Sequence, residues 1–299
     1  MDLQQMRYVV AVAEAGSFTH AARRCHVVQS ALSHQIARLE HELGARLFHR
    51  TSRRVRLTSE GESFLPAARQ CLAAADRARA EVAAASGEVR GRLLIGAIRT
   101  VTAIDLPEAL GRFHKRHPRV SIGLRTAASK ELTTQVRNGE IDVAFLGLSP
   151  TARPTGVRAH ELEREELVAV VAPEHPLAAE SSVDLQRLAE ETFVDFPAGT
   201  AARAQTDDAF ADAGLTRRVE FEVSTPELTA GLVRQKLGIT MLPIGYAASL
   251  PGLATINISD EPHRVQHLIW SKLGPAPAAT AFLRELGVPD TTITGPPRV

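Results

Sequence analysis

At 299 residues, with 44% apolar and only 4% aromatic side chains, the chain is too long for one small domain and has to build its cores from Leu, Ile, Val and Ala. No apolar run approaches the ~18–20 residues that span a bilayer. Met1–Gln5 lacks the basic-then-apolar pattern of a secretory leader, and Cys25 and Cys71 do not make a disulfide framework, so a cytoplasmic chain without membrane contact is the expectation. The net charge of +1 conceals an asymmetry: residues 1–57 hold nine Arg, no Lys and four acids, a net +5, and the remainder is −4. Such a basic head suits a polyanionic partner, although a solvated basic surface would have the same composition.

Leu3, Met6, Val10 and Ala13 follow helical spacing, and Gly16 ends that helix. Ser17 is an N-cap for a short second helix, Phe18 to about Cys25, whose Ala21 and Ala22 allow close packing. After His26-Val27-Val28, residues Leu32, Ile36, Leu39 and Leu43 form one apolar stripe on a third helix, stopped by Gly44. The Arg-rich stretch Leu47–Leu57 alternates Val55 and Leu57 with Arg54 and Arg56 and reads as a two-stranded wing.

Thr58 or Ser59 caps a long Ala-rich helix, with Ser59-Glu60-Gly61-Glu62 fitting the capping-box pattern and Pro66 predicting a bend. About 28 residues would make a rod of roughly 40 Å. Leu65, Ala68, Leu72, Ala75 and Val82 sit at heptad spacing. That stripe is buried either in a seam with a second copy or against the chain's own C-terminal part.

Beyond the break at Gly87–Gly91 the rhythm becomes strand–helix alternation, including a buried strand at Ile141–Leu146 and a strand at Leu167–Val171. This predicts α/β architecture with mostly parallel sheets and room for two lobes. The Thr- and Pro-rich tail, Pro289–Val299, is expected to be disordered.

Two helices joined by a tight turn, the second with one apolar and one short polar face, suit entry into a major groove about 12 Å wide. Gln29, Ser30, Ser33 and His34 occupy the first turn and a half of the third helix, away from Leu32 and Ile36. Gln pairs with adenine N6 and N7, Ser with a base edge or phosphate, and His with guanine or phosphate. Arg50, Arg53 and Arg54 in the wing suit phosphates or a narrow minor groove. Each residue alone could equally be exposed helix surface; together with the +5 head they point to double-stranded DNA.

These residues carry a resemblance. Ala21-Ala22, the run Gln29–Ile36, Leu39-Glu40, Leu43-Gly44, Leu47-Phe48-x-Arg50 and Leu57-Thr58 resemble the N-terminal signature of LysR-type transcriptional regulators. Gly91-x-Leu93-x-Ile95-Gly96, Asn138–Asp142 and Leu237–Pro243 resemble elements of that family's effector domain. The resemblance implies a multi-domain α+β chain: a winged helix-turn-helix over 1–58, a linker or dimerisation helix over 59–88, and a two-lobed, periplasmic-binding-protein-like α/β effector domain over 91–299. Lobe 1 would take about 91–162 and 267–299, and lobe 2 about 163–266. It also implies homodimers or homotetramers, contact with RNA polymerase, and a small-molecule effector instead of a cofactor.

Three positions depart from the family pattern. Cys25 stands where Leu is usual and reads as core. Val28 stands where Ser or Thr often caps the recognition helix, and Glu60 replaces a common Ala at a helix start that favours acids.

Carried over by position, Thr100, Ser129, Thr200, Arg203 and Thr225 would contact the effector, with Arg99 as a further cation. Hydroxyls and helix N-termini suit a carboxylate, so a small organic anion is favoured. An ordinary capping role is open for each hydroxyl, most of all for Thr225 before Pro226. Lys236 replaces a common Gly, and the sequence does not say which way it faces. No HExxH, CxxC, GxSxG or phosphate loop supports an enzyme or a metal site. A redox sensor would need an exposed reactive cysteine pair.

Overall fold

The computed structural model describes residues 1–50, 55–85 and 88–294. They divide into two compact units, Met1–Val89 with Asn138–Glu140, and Arg90–Arg137 with Ile141–Val299.

In the first unit, Asp2 and Gln5 form a reciprocal capping box that starts α1 (Leu3–Ala15), and Gly16 ends it in the left-handed region. Ser17 caps α2 (Phe18–Arg24). His26 then takes the left-handed conformation, φ 54°. Its N–H donates to the Arg23 carbonyl and the Val27 N–H to the Ala22 carbonyl, a Schellman closure in which His occupies the usual glycine position. The chain so redirected enters α3 (Gln29–Leu43), where Leu32, Ile36 and Leu39 are buried and Leu43 is exposed. These three pack with Val9, Val12, Ala21, Phe18 and Phe48 into one core, which the half-buried Cys25 flanks. The strands β1 (Phe48–Arg50) and β2 (Val55–Leu57) pair antiparallel as the wing.

Helix α4 spans Ser59–Ala85, with Pro66 inside it. Its cap is Thr58, whose hydroxyl accepts the Gly61 N–H at 3.0 Å and donates to the Arg46 carbonyl at 2.6 Å. The expected Ser59–Glu62 box is therefore not the cap. The Thr58 N–H is held by the Leu47 carbonyl, which makes Thr58 the last extended residue, and the Glu62 N–H already bonds back to its carbonyl. Hydrogen bonds from its own N–H and from the Ser59 hydroxyl hold the Glu60 carboxyl below its ordinary range, as suits an acid at a helix N-terminus.

The second unit opens with parallel β–α–β crossovers: β3 (Gly91–Ala97), α5 (Leu106–Arg116), β4 (Val120–Thr126), α6 (Ser129–Arg137) and β5 (Val143–Leu148). Then come β6 (Val157–Val171), β7 (Ser182–Val183), α7 (Leu185–Leu188), β8 (Thr192–Asp195), α8 (Ala201–Asp212) and β9 (Arg218–Glu222). The chain finishes with α9 (Pro226–Arg234), β10 (Thr240–Pro243), α10 (Ile244–Ala247), β11 (Ala254–Ile258), β12 (His263–Ser271), α11 (Pro277–Glu285) and α12 (Asp290–Thr294).

The main sheet runs β4-β3-β5-β12-β6-β11-β7, with β10 also on β6, and β8 and β9 form a parallel pair. It is mixed instead of mostly parallel. β12 runs antiparallel to both β5 and β6, and β6 runs antiparallel to β10 and β11. Strand β6 is the reason. Nine of its first ten residues pair with β12 as far as Glu166, a register shift skipping Leu162, and from Leu167 onward its partners are β10 and β11. One strand therefore serves two cores. One contains Leu132, Val136, Leu146 and Ile269; the other contains Leu167, Phe193, Phe210 and Met241. The tail departs from expectation too: residues 290–294 are helical and Ile293 is fully buried. Residues 295–299 lie outside the described part.

Candidate functional site

Two surfaces carry the polar chemistry singled out in the sequence. On α3, Gln29, Ser30 and His34 are exposed and Ser33 is half-buried, while Leu32 and Ile36 point into the core. The helical period thus separates a short polar face from the anchor. The helix starts at Val28, which is 68% exposed and offers no side-chain cap, so the first-turn N–H groups remain available to an external acceptor such as a phosphate. Arg38, one turn beyond His34, is also exposed and extends this face; the sequence reading passed over it. Arg50 ends β1, but its side chain lies outside the described part, as do residues Arg53 and Arg54.

The second surface is a cavity of about 330 Å³ in the effector-type unit. Arg99, Thr100 and Ser129 line it from one side, and Thr200, Ser224 and Pro226 from the other. The N-terminal turns of α6 and α8 open onto it through Ala128-Ser129 and Thr200–Ala202. Most of the hydroxyls are already engaged. Ser129 donates to the Gly147 carbonyl and accepts from its N–H, tying α6 to β5. Thr200 donates to the Pro197 carbonyl at 2.8 Å and caps α8 by accepting from the Arg203 N–H.

Thr100 accepts from Arg264, a residue the sequence reading missed. Arg264 is 1% exposed and lines the same cavity. Its guanidinium bonds Thr100 Oγ1 at 2.7 Å, the Thr100 carbonyl at 2.5 Å, and Glu165 Oε2 at 2.8 Å. Glu165 also accepts from Thr102, Gln266 and the Gly245 N–H. Burial pulls the Arg264 pKa down and the Glu165 charge opposes that pull. Arg264 is thus a neutralised structural cation behind the loop that follows β3. Arg99 differs: it is exposed and has no hydrogen bond or ion pair among the described residues. It lies near Tyr246, whose phenol burial and Glu227 push up to about 12 against the Arg99 charge.

Two expected cleft residues are turned elsewhere. Arg203 reaches Asp207 at 2.8 Å and Glu222 at 3.0 Å and does not line the cavity, because those carboxylates lie on its own helix and on β9. Thr225 accepts from the Leu228 N–H and caps α9, which leaves the preceding Ser224 to face the cavity. The wall above is braced by Asp195, which takes Arg217 at 2.7 Å, while Arg217 lies over the rings of Phe193 and Phe210. Burial raises the Asp195 pKa, with Arg217 opposing. Lys236 faces away from the cavity: it is largely exposed and reaches Glu174 at 3.6 Å.

Two family models match the chain. The model for "Bacterial regulatory helix-turn-helix protein, lysR family" covers residues 3–62, and that for "LysR substrate binding domain" covers residues 86–287. The transcriptional regulator ShiR of Corynebacterium glutamicum is 35% identical over 278 residues, spanning 91% of this chain and 93% of that protein. Among solved structures, full-length CbnR in complex with its target DNA superposes with a TM-score of 0.68 at 26% identity, covering 96% of this chain and 99% of that one. The effector-binding domain of QuiR in complex with shikimate gives 0.59 at 28% identity, covering 66% of this chain and 95% of that one. With two family models covering most of its length and a relative at 35% identity, the chain belongs to the LysR family and is a DNA-binding transcriptional regulator with a C-terminal effector-binding domain.

Proposed function

We propose that the cleft binds a small organic anion and that its occupancy alters lobe or subunit geometry, and so how two reading heads engage half-sites of an inverted repeat. The observation that carries this reading is the meeting of the α6 and α8 N-termini with the unpaired Arg99, while Arg264 is already neutralised by Glu165. QuiR, bound to the carboxylate shikimate, is a relative with such a ligand. In this reading Arg99, Ser129, Thr200 and Ser224 surround the anion, and no cofactor takes part. The protein works in the cytoplasm as a homodimer or homotetramer that engages RNA polymerase. No helix among the described residues is long and apolar enough to cross a membrane.

On DNA, Gln29, Ser30, Ser33 and His34 read base edges, and Arg50, Arg53 and Arg54 hold phosphates or the minor groove. The cleft is tested by thermal shift of the full-length protein against a panel of carboxylates. A ligand at one hundred times its Kd adds about 2.7 kcal/mol of stability. Arg99→Gln should abolish the shift; an undiminished shift in that variant, or none with any carboxylate in the parent, rejects the anion reading.

A further inference from the structure

Gln205 sits in the second turn of α8, is 7% exposed, and lines the cavity. Its carboxamide has no hydrogen-bond partner among the described residues, while Thr200 and Thr206 on the same helix are both engaged. The amide lies against β5. A Cβ placed on Gly147 would stand 3.5 Å from Gln205 Nε2 and 3.1 Å from Arg264 Nη1, so the absence of a side chain there keeps the space open. The amide therefore offers its donors and its acceptor to whatever occupies the cavity, and a ligand that reproduces those bonds gains over one that cannot.

We infer that Gln205 is the specificity-determining residue of the cleft and reads a hydroxyl group on the ligand. An amide donates and accepts, which matches a hydroxyl that does the same. A second carboxylate fits less well: it would face the amide oxygen, and the neighbouring Arg264 is neutralised by Glu165 at 2.8 Å, leaving no net positive charge there. The ligand class is therefore a hydroxylated monocarboxylate, with its carboxylate toward Arg99 and the helix N-termini and a hydroxyl toward Gln205. This inference rests on the anion reading above.

The test uses the full-length protein and the matched pair shikimate and cyclohex-1-ene-1-carboxylate, which differ only in hydroxyls, with calorimetric titration as the readout. The parent should prefer shikimate by at least about tenfold, since a site built to bond a hydroxyl discriminates strongly against its absence. Gln205→Met, close in volume, should erase that preference by weakening shikimate alone. Gln205→Glu should weaken both compounds through charge repulsion. Equal binding of the pair by the parent, or a preference that survives in Gln205→Met, overturns the role of Gln205 and leaves the anion reading standing. Binding of neither compound overturns the hydroxylated-monocarboxylate class. If the wider carboxylate panel also fails, the anion reading falls with it.

Discussion

Glu165 on β6 and Arg264 on β12 face each other in register, and their charged groups meet at 2.8 Å with both side chains almost fully buried. They stand one residue from the point where β6 exchanges β12 for β10, so the pair sits where the two cores share a strand. Arg264 also holds the hydroxyl and the carbonyl of Thr100 and the hydroxyl of Thr102. Removing one partner leaves a buried charge uncompensated, which costs about 3–5 kcal/mol. Glu165→Gln should therefore lower the unfolding free energy of the effector-domain transition in the full chain by that amount, read from denaturant titration. A loss below about 1 kcal/mol would mean that water reaches Arg264 and that the pair is not an anchor.

Lys236 occupies the left-handed position, φ 60°, after α9, with its N–H on the Val233 carbonyl and the Leu237 N–H on the Leu232 carbonyl. That is a Schellman closure made with a residue carrying a Cβ, where glycine is favoured. Its ion pair with Glu174 is long and exposed at both ends and adds little. Lys236→Gly should stabilise the effector-binding domain by about 1 kcal/mol, and Lys236→Val should destabilise it. Thermal melts of the two variants at equal concentration provide the check.

These cases show what could be read from the sequence. Leu32, Ile36 and Leu39 announced their helix because one face is core and the other is not, and periodicity reports that contrast. The first half of β6 and the whole of β12 were hidden for opposite reasons, while the apolar second half of β6 reads as a strand. The first half of β6 is a run of Glu, Arg and His that resembles a surface loop, and β12 is buried along most of its length, so neither gives clean alternation. In the cleft, Ser224 stands where Thr225 was expected, because a hydroxyl before a helix either caps it or faces outward, and only the backbone decides which. Gln205 and Arg264 escaped notice because burial of a polar side chain is set by distant neighbours and leaves no local pattern.

His267 is 4% exposed on β12, and its Nδ1 has no partner among the described residues. Burial lowers its pKa, with Glu161 opposing. A base whose folded pKa lies below its unfolded value gives stability that is complete above the unfolded pKa, ~6.5. That stability is lost as the pH falls toward the folded value, because the unfolded chain binds the proton first. Thermal stability should fall on acidification below about pH 6.5. The fall should be shallower in His267→Gln, which cannot titrate. Parallel pH profiles for the two proteins would show that another group sets the dependence.

Helix α3 starts without a side-chain cap. Val28 has extended backbone, φ −75° and ψ 145°, as an N-cap requires, but contributes no acceptor. The backbone is already in place, so a serine there needs only its rotamer to close onto the N–H of the second or third helical residue. Val28→Ser should then stabilise the head by about 0.5–2 kcal/mol, read as a higher thermal midpoint for its transition. No charge changes, so the slope of log affinity against log salt on operator DNA should stay the same. If a phosphate uses the free N–H groups of this turn, the serine hydroxyl competes with it, and affinity falls at every salt concentration while the protein alone becomes more stable. A variant neither more stable nor weaker on DNA would show that water already satisfies those groups and that the uncapped end has no part in binding.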